Sequence, residues 1–363
     1  MALIILSVLL AILILLAMIC VHEFGHFIAG RILGFKINEF AIGFGPKLFK
    51  HRGKKHGTLF SVRAFPLGGF CSFEGEEGEE TDPAAFNNKK PWQRIIVLIS
   101  GALMNYILAV ALIIIGFFSF GQPAYRIDAV AESPDYSSEY VLQNGDIILG
   151  VEGRTVYFAT DFIAALKNKK QGDIVTVEII RAEKRQSVNV ALRSDCNFKN
   201  SSDLSKIWRA LGADTYEWED GNLYWSVSGT SCRFSFFSTL GRSFAYSFRM
   251  AGAIFGVLGE LLTGNLGLSA MGGPITTIKM TGEMAVQGVE SFLRIAAYIG
   301  VNLAVFNLLP IPALDGSKVV FCLIEWAFKK PVPRKVEAVI HAVGLILILA
   351  FAVIVDILQF ARC

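Results

Sequence analysis

The chain has 363 residues, of which 53% are hydrophobic and only 18% charged, below the roughly one-quarter charged content of ordinary soluble domains. A formal net charge of +3 is too small to point to nucleic acid, and the six cysteines show no CxxC spacing, which argues against a cysteine-rich zinc module. The composition fits a membrane protein, and the length allows two or three domains.

Residues 1–21 carry no charged side chain and run straight into MICVHEFGHFIAG. About 20 apolar residues suffice to cross a bilayer as a helix. A cleaved secretory signal would show a basic start and a small-x-small site after the apolar run. Neither is present, so residues 1–34 are read as a retained first transmembrane helix. Residues 35–94 form a basic loop region, with eleven lysines and arginines from Arg31 to Arg94. Residues 95–120 form a second span.

Residues 121–196 read as an extramembrane module. VLQNGDIILGVEGRTV places turns at Asn144-Gly145 and Glu152-Gly153 around a short apolar strand. DFIAALKN reads as a short helix with Phe162, Ile163 and Leu166 on one side, and DIVTVEIIRAEKRQSVNVAL as two alternating strands. This order resembles a PDZ domain, although the glycine-rich carboxylate-binding loop of such domains is not evident in QPAYRIDA. Residues 197–292 are expected to be an extracytoplasmic and interfacial helical region. Its stretch 243–264 is interrupted by Arg249 and Glu260 and reads as an interfacial or packed helix, not a span. A disulfide between Cys196 and Cys232 stays open if this region lies outside the cytoplasm. Residues 293–318 form a third span containing Asn302 and Asn307, and residues 336–360 a fourth. Lys318, Lys329, Lys330, Arg334 and Lys335 cluster before the last span. The positive-inside rule then places both basic loops in the cytoplasm and both termini and the inserted module outside. The acidic EGEEGEE within the first loop changes this little.

His22 and His26 stand four apart, so a helix puts both imidazoles on one face. With Glu23 they form H-E-x-x-H, a zinc-binding motif in which the glutamate is general base. Zinc takes neutral imidazole nitrogens at roughly 2 Å, and one helix delivers two of them rigidly. Intramembrane ionisable groups are expensive and mark function by default. A catalytic site needs a third protein ligand. His51 and His56, in KHRGKKHG, read as a solvated basic turn. His341 lies in the last span with nothing resembling a ligand set beside it. The better candidate is Asp315 in NLLPIPALDGSK, where Pro310 and Pro312 break the helix and Gly316 permits a turn; the competing reading is a plain N-cap aspartate.

HEFGH on the first span together with NLLPIPALDG on a later one resembles the site-2 protease family of intramembrane zinc metalloproteases, with a bacterial branch most similar. FAIGFGPKLF, FPLGGF, FNNKKPWQRIIVLISGALMN, GGPI and the single PDZ-like module extend the likeness over nearly the whole chain. SGALMN and LDGS depart from the commoner Ala-Gly-Pro and LDGG. The resemblance implies a fold of four transmembrane helices with a membrane-associated β-hairpin and an inserted extracytoplasmic PDZ-like α+β domain. It implies Zn2+ held by His22, His26 and Asp315, with Glu23 as catalytic base and Asn307 helping to hold substrate backbone. It also implies residence in a bacterial cell membrane and transmembrane protein substrates, such as anti-sigma factors already trimmed by another protease, or signal-peptide remnants. The lipid bilayer is the other expected partner. Oligomeric state stays open.

Topology bears on the same site. His22 and Asp315 meet only if the chain crosses four times, because a further span at 243–264 would deliver Asp315 to the wrong side. INEFAIGF and TLFSVRAFPLGGF partly alternate, as a hairpin would, and the resemblance suggests a re-entrant β-element whose edge pairs with unwound substrate. The alternative function is a catalytically silent membrane scaffold displaying the PDZ-like module. An ion pathway is disfavoured by the lack of visible repeats.

Overall fold

The computed structural model describes all residues except 1, 77–80, 131–140, 197–203, 214, 218–222, 226, 265–271 and 361–363. Residues 77–80 of the acidic EGEEGEE patch therefore lie outside the described residues. Two compact units divide the chain: Met1–Ile115 with Met250–Phe255 and Leu266–Cys363, and Gly116–Arg249 with Gly256–Asn265.

In the first unit, α1 (Ala2–Ile32) is followed by β1 (Ile37–Arg52), β2 (Leu59–Phe73) and α2 (Pro91–Phe120). β1 and β2 pair antiparallel with a register that folds back on itself. Glu39–Ile42 has partners in Leu59–Val62 and also in Gly69–Ser72, while Lys47–Arg52 faces Leu59–Arg63. Residues 69–73 therefore form one rim of the sheet, with strand partners on a single side among the described residues. Phe44, Leu48, Phe49 and Phe65 stand exposed on this hairpin. Its base packs into a cluster of Phe35, Ile37, Phe73, Phe86, Val97 and Leu98.

The second unit is built on a sheet of β3 (Gln122–Ile127), β4 (Ile147–Val151), β5 (Arg154–Thr155), β6 (Ile174–Arg181) and β7 (Lys184–Ala191), with α3 (Ala159–Leu166) between β5 and β6. α4 (Leu204–Ala210), the short pair β8 (Thr215–Glu217) and β9 (Leu223–Trp225), and β10 (Val227–Cys232) follow. The sheet order is β10-β3-β4-β6-β7, with β5 beside β4. The expected limit at residue 196 is too short, and a helical reading of 197–292 needs correction. β10 pairs with β3 along its whole length, and Ile207, Trp208 and Leu211 join the same core as Phe162, Leu166 and Val177. Isolated strands of three to six residues leave little periodicity to read. Asp146, fully buried, receives Arg181 through two bonds of 2.7 Å. Cys196 and Cys232 are both free, in separate hydrophobic clusters.

α5 (Phe236–Leu262) starts seven residues before the expected apolar stretch. One side buries Thr239, Ser243 and Ser247, while Phe237, Phe244, Phe248 and Phe255 are exposed on the other. Tyr246 stacks near Tyr157 and Phe158, and Arg249 lies 3.4 Å from Asp161.

The remaining helices return to the first unit: α6 (Pro274–Ala285), α7 (Val289–Leu308), α8 (Asp315–Phe328) and α9 (Arg334–Phe360). Among the described residues, four helices are long and apolar enough to cross a membrane, at Leu3–Ile32, Pro91–Phe120, Val289–Leu308 and Arg334–Gln359; α5 is not among them. The expected third span does not reach residue 318. α7 stops at Leu308 and a new helix starts at Asp315, because Pro310 and Pro312 have no N–H to continue the helical ladder.

Candidate metal centre

α1 sets the first half of the site. One turn apart, His22 and His26 place their ring centroids 4.7 Å apart with planes at 88°, and both rings are buried. A side chain on the neighbouring helix would not fit. A Cβ on Gly101 of α2 would lie 2.5 Å from His26 Nε2 and 2.8 Å from His22 Cε1. Gly101 belongs to SGALMN, a motif recognised in the sequence without a physical role.

The α7–α8 break sets the second half. Ala313 adopts the left-handed conformation at φ 75°, which costs an L-residue roughly 1–2 kcal/mol. The turn expected at Gly316 is therefore made by Ala313. Gly316 serves another end: a Cβ there would lie 2.2 Å from the Leu309 carbonyl oxygen. Asp315 thus opens α8 as its first residue, with Leu314 as N-cap.

The two halves meet. His22 Nε2 lies 3.0 Å from Asp315 Oδ2 and 3.1 Å from His26 Nε2, and His26 Nε2 lies 3.4 Å from the same carboxylate oxygen. Among the described residues, these three form a group whose ligand atoms all fall within 4.8 Å of one another. His26 Nδ1 donates to the Val97 carbonyl at 2.8 Å, so its Nε2 turns a lone pair inward. Two imidazole nitrogens and a carboxylate oxygen converging in this way repel one another unless a cation or protons lie between them. A divalent cation that accepts N and O ligands suits that donor set.

The remaining sequence candidates fall as follows. Glu23 follows His22 directly, and its carboxylate accepts a hydrogen bond from the backbone of Cys71 on the rim of the hairpin. Gly69, on the same rim, would carry a Cβ 3.5 Å from Glu23 Cγ. Asn307 puts its amide nitrogen 3.5 Å from His22 Nδ1. His51 and His56 are exposed on the hairpin. One turn beyond Asp315, Lys318 bonds Glu76 at 2.7 Å. Burial works against its charge, but Glu76 outweighs this and holds the ammonium pKa above its usual value. Sequence reasoning missed His341 as part of this region. Its Nδ1 accepts the Ala313 N–H at 3.0 Å, and a histidine inside an apolar span was the available signal.

The sequence profile described as Peptidase family M50 matches residues 10–351. The chain belongs to peptidase family M50. This M50 chain is 33% identical to a protein of Clostridium perfringens over 343 residues, covering 94% of each. It is 32% identical to a Nostoc protein over 362 residues, 96% of this chain and 94% of the other. A Synechocystis protein is 30% identical over 376 residues, 96% and 93% respectively. All three are named "Putative zinc metalloprotease".

Proposed function

We propose that the chain is a zinc-dependent intramembrane endopeptidase that hydrolyses peptide bonds within or near transmembrane segments of other membrane proteins. The observation that carries this reading is the convergence of His22 Nε2, His26 Nε2 and Asp315 Oδ2 at 3.0–3.4 Å, with Glu23 on the same helical turn, inside a helix long enough to span a bilayer. His22, His26 and Asp315 would hold zinc, which when bound would polarise the scissile carbonyl and make water a competent nucleophile near neutral pH. Glu23 takes a proton from the attacking water as its oxygen bonds to the carbonyl carbon. It then delivers that proton to the departing amide nitrogen as the C–N bond breaks. Asn307, 3.5 Å from His22 Nδ1, steadies that ring and offers its amide to substrate backbone.

A transmembrane helix hides its carbonyls in its own hydrogen bonds, so substrate has to be unwound first. The rim at residues 69–73, whose Cys71 backbone already bonds Glu23, supports strand addition by extended substrate beside the reacting groups. The basic loops favour a cytoplasmic location for this chemistry, with the termini and the PDZ-like module on the outer side of a bacterial cell membrane. The module restricts substrates to those with trimmed outer domains, such as processed anti-sigma factors or signal-peptide remnants.

The test is cleavage of a transmembrane peptide by purified protein, comparing wild type, Glu23→Gln and chelator treatment. Loss of general-base catalysis predicts a fall of about 10²–10⁴ in rate for Glu23→Gln with zinc content retained, and chelation should stop turnover. Cleavage that survives Glu23→Gln would sink the mechanism. A wild type that binds zinc but cleaves nothing favours the scaffold reading.

A further inference from the structure

We infer that His341, on the last apolar helix, is a positioning residue that holds the α7–α8 break in the shape that presents Asp315 to the metal. The inference rests on the metal centre proposed above and extends it to a residue outside the ligand set.

The backbone accounting of the break isolates one group. Pro310 and Pro312 have no N–H to place. Ile311 donates to the Leu309 carbonyl at 2.7 Å and Leu314 to the Ile311 carbonyl at 3.1 Å. Ala313 is the residue in the left-handed conformation, and its N–H goes to no carbonyl; it goes to His341 Nδ1 at 3.0 Å. A backbone donor left unpaired at membrane depth is costly, and the left-handed Ala313 adds to the cost of the turn. One imidazole nitrogen offsets both. As an acceptor, Nδ1 leaves the ring proton on Nε2, which is buried with no hydrogen-bond partner among the described residues. Glu337 Oε1 lies 3.9 Å from it, and the Phe321 ring of α8 packs against the imidazole at 5.8 Å between centroids.

A second contact ties the same turn to the same helix. Gly344, nearly one helical turn beyond His341, would place a Cβ 2.2 Å from Pro312 Cβ. α9 therefore grips the break at consecutive residues, Pro312 by shape and Ala313 by hydrogen bond, and Asp315 lies two residues further on. The ligand's position is set from the last helix, although that helix contributes no ligand.

The experiment uses full-length protein in detergent, with Zn2+ affinity measured by chelator competition and the visible spectrum recorded on the Co2+-loaded form. Wild type and Asp315→Ala calibrate both readouts. His341→Leu keeps bulk and removes the acceptor; it should weaken Zn2+ binding about 10–100-fold, as losing an outer partner of a ligand does, and shift the Co2+ band. His341→Asn returns an acceptor near the Nδ1 position and should recover most of the affinity and the wild-type band. Wild-type affinity and spectrum in His341→Leu would overturn the inference. So would His341→Asn behaving as badly as His341→Leu, which would indicate packing alone. Should His341→Leu not fold, His341→Phe, which keeps an aromatic ring and removes the acceptor, carries the test: weakened Zn2+ binding supports the inference and unchanged binding overturns it. If Asp315→Ala binds Zn2+ as tightly as wild type, the metal centre itself fails and this inference with it.

Discussion

The two units of this chain solve burial in opposite ways. The β-rich unit hides Phe162, Leu166, Val177 and Ile179 completely and compensates the buried Asp146 with an arginine. The helical unit exposes Leu3, Ile4, Leu9, Ile346 and Leu347 to more than half of their full surface while burying His22, His26, Asn105 and Asp356. Such exposure would be an aggregation hazard in water. It is the expected arrangement where the surroundings are hydrocarbon and polar groups must find partners inside. The difference teaches that "buried polar" means different things in the two units. In the β-rich unit Asp146 is paired with Arg181, whereas the helical unit holds both a structural cap, Asp356, and the His22–His26–Asp315 cluster.

Substitutions can press on that contrast from both sides. Asp146→Ala should have the largest effect, about 3 kcal/mol off the β-rich unit, because it removes two charged bonds to Arg181 and the acceptor of the Gln143 N–H. Thermal unfolding of the full chain should show that unit's transition moving down while Zn2+ affinity holds. A shift in metal affinity instead would mean the two units are not energetically separate. Gly101→Ala should do the reverse. Its methyl group would be driven against His26 Nε2, so we expect a 10–100-fold loss of Zn2+ affinity with the β-rich transition in place. Asp356→Ala should cost less. Its carboxylate accepts the Ile275 and Thr276 N–H groups at 3.1 and 3.4 Å, capping α6 from a different helix, and losing a cap costs about 1 kcal/mol. Faster amide exchange at residues 275 and 276 would report it, and unchanged exchange would show that the cap is idle. The smallest effect concerns Cys196, whose thiol is pushed up to about 11 by burial. The thiolate is the reactive form, so native protein at pH 8 should resist alkylation there until it unfolds; ready labelling would show that the core around it opens.

Much of the candidate metal centre, the cluster of His22, His26 and Asp315, was legible because half of it is local. His22, Glu23 and His26 sit at a spacing that only has to be helical to work, and the run before them says helix. Asp315 was legible through its punctuation, two prolines and a glycine at the end of an apolar segment. The four-span path was required by the meeting of the two halves, 293 residues apart, and among the described residues the absence of α5 from the spanning helices agrees with it. What stayed hidden depends on close approach. Nothing in the pattern distinguishes Gly101 from any other helical glycine, and nothing predicts that Ala313 rather than Gly316 takes the left-handed turn. The start of α5 was hidden by FFSTLGRSFAYSF, whose serines and aromatics suit a packed helix but not an apolar stripe. The strands between residues 215 and 232 were too short to show alternation.

The break before Asp315 has an electrostatic consequence as well as a geometric one. Ending α7 and beginning α8 at that carboxylate gives it the first turn of a new helix, where the aligned peptide dipoles present the equivalent of about half a positive charge. An anion there is favoured by roughly 0.3–1 kcal/mol. Had α7 run unbroken into α8, the same residue would have sat in a helix interior, beyond the reach of the dipole's positive end. The prolines therefore help to keep this carboxylate charged.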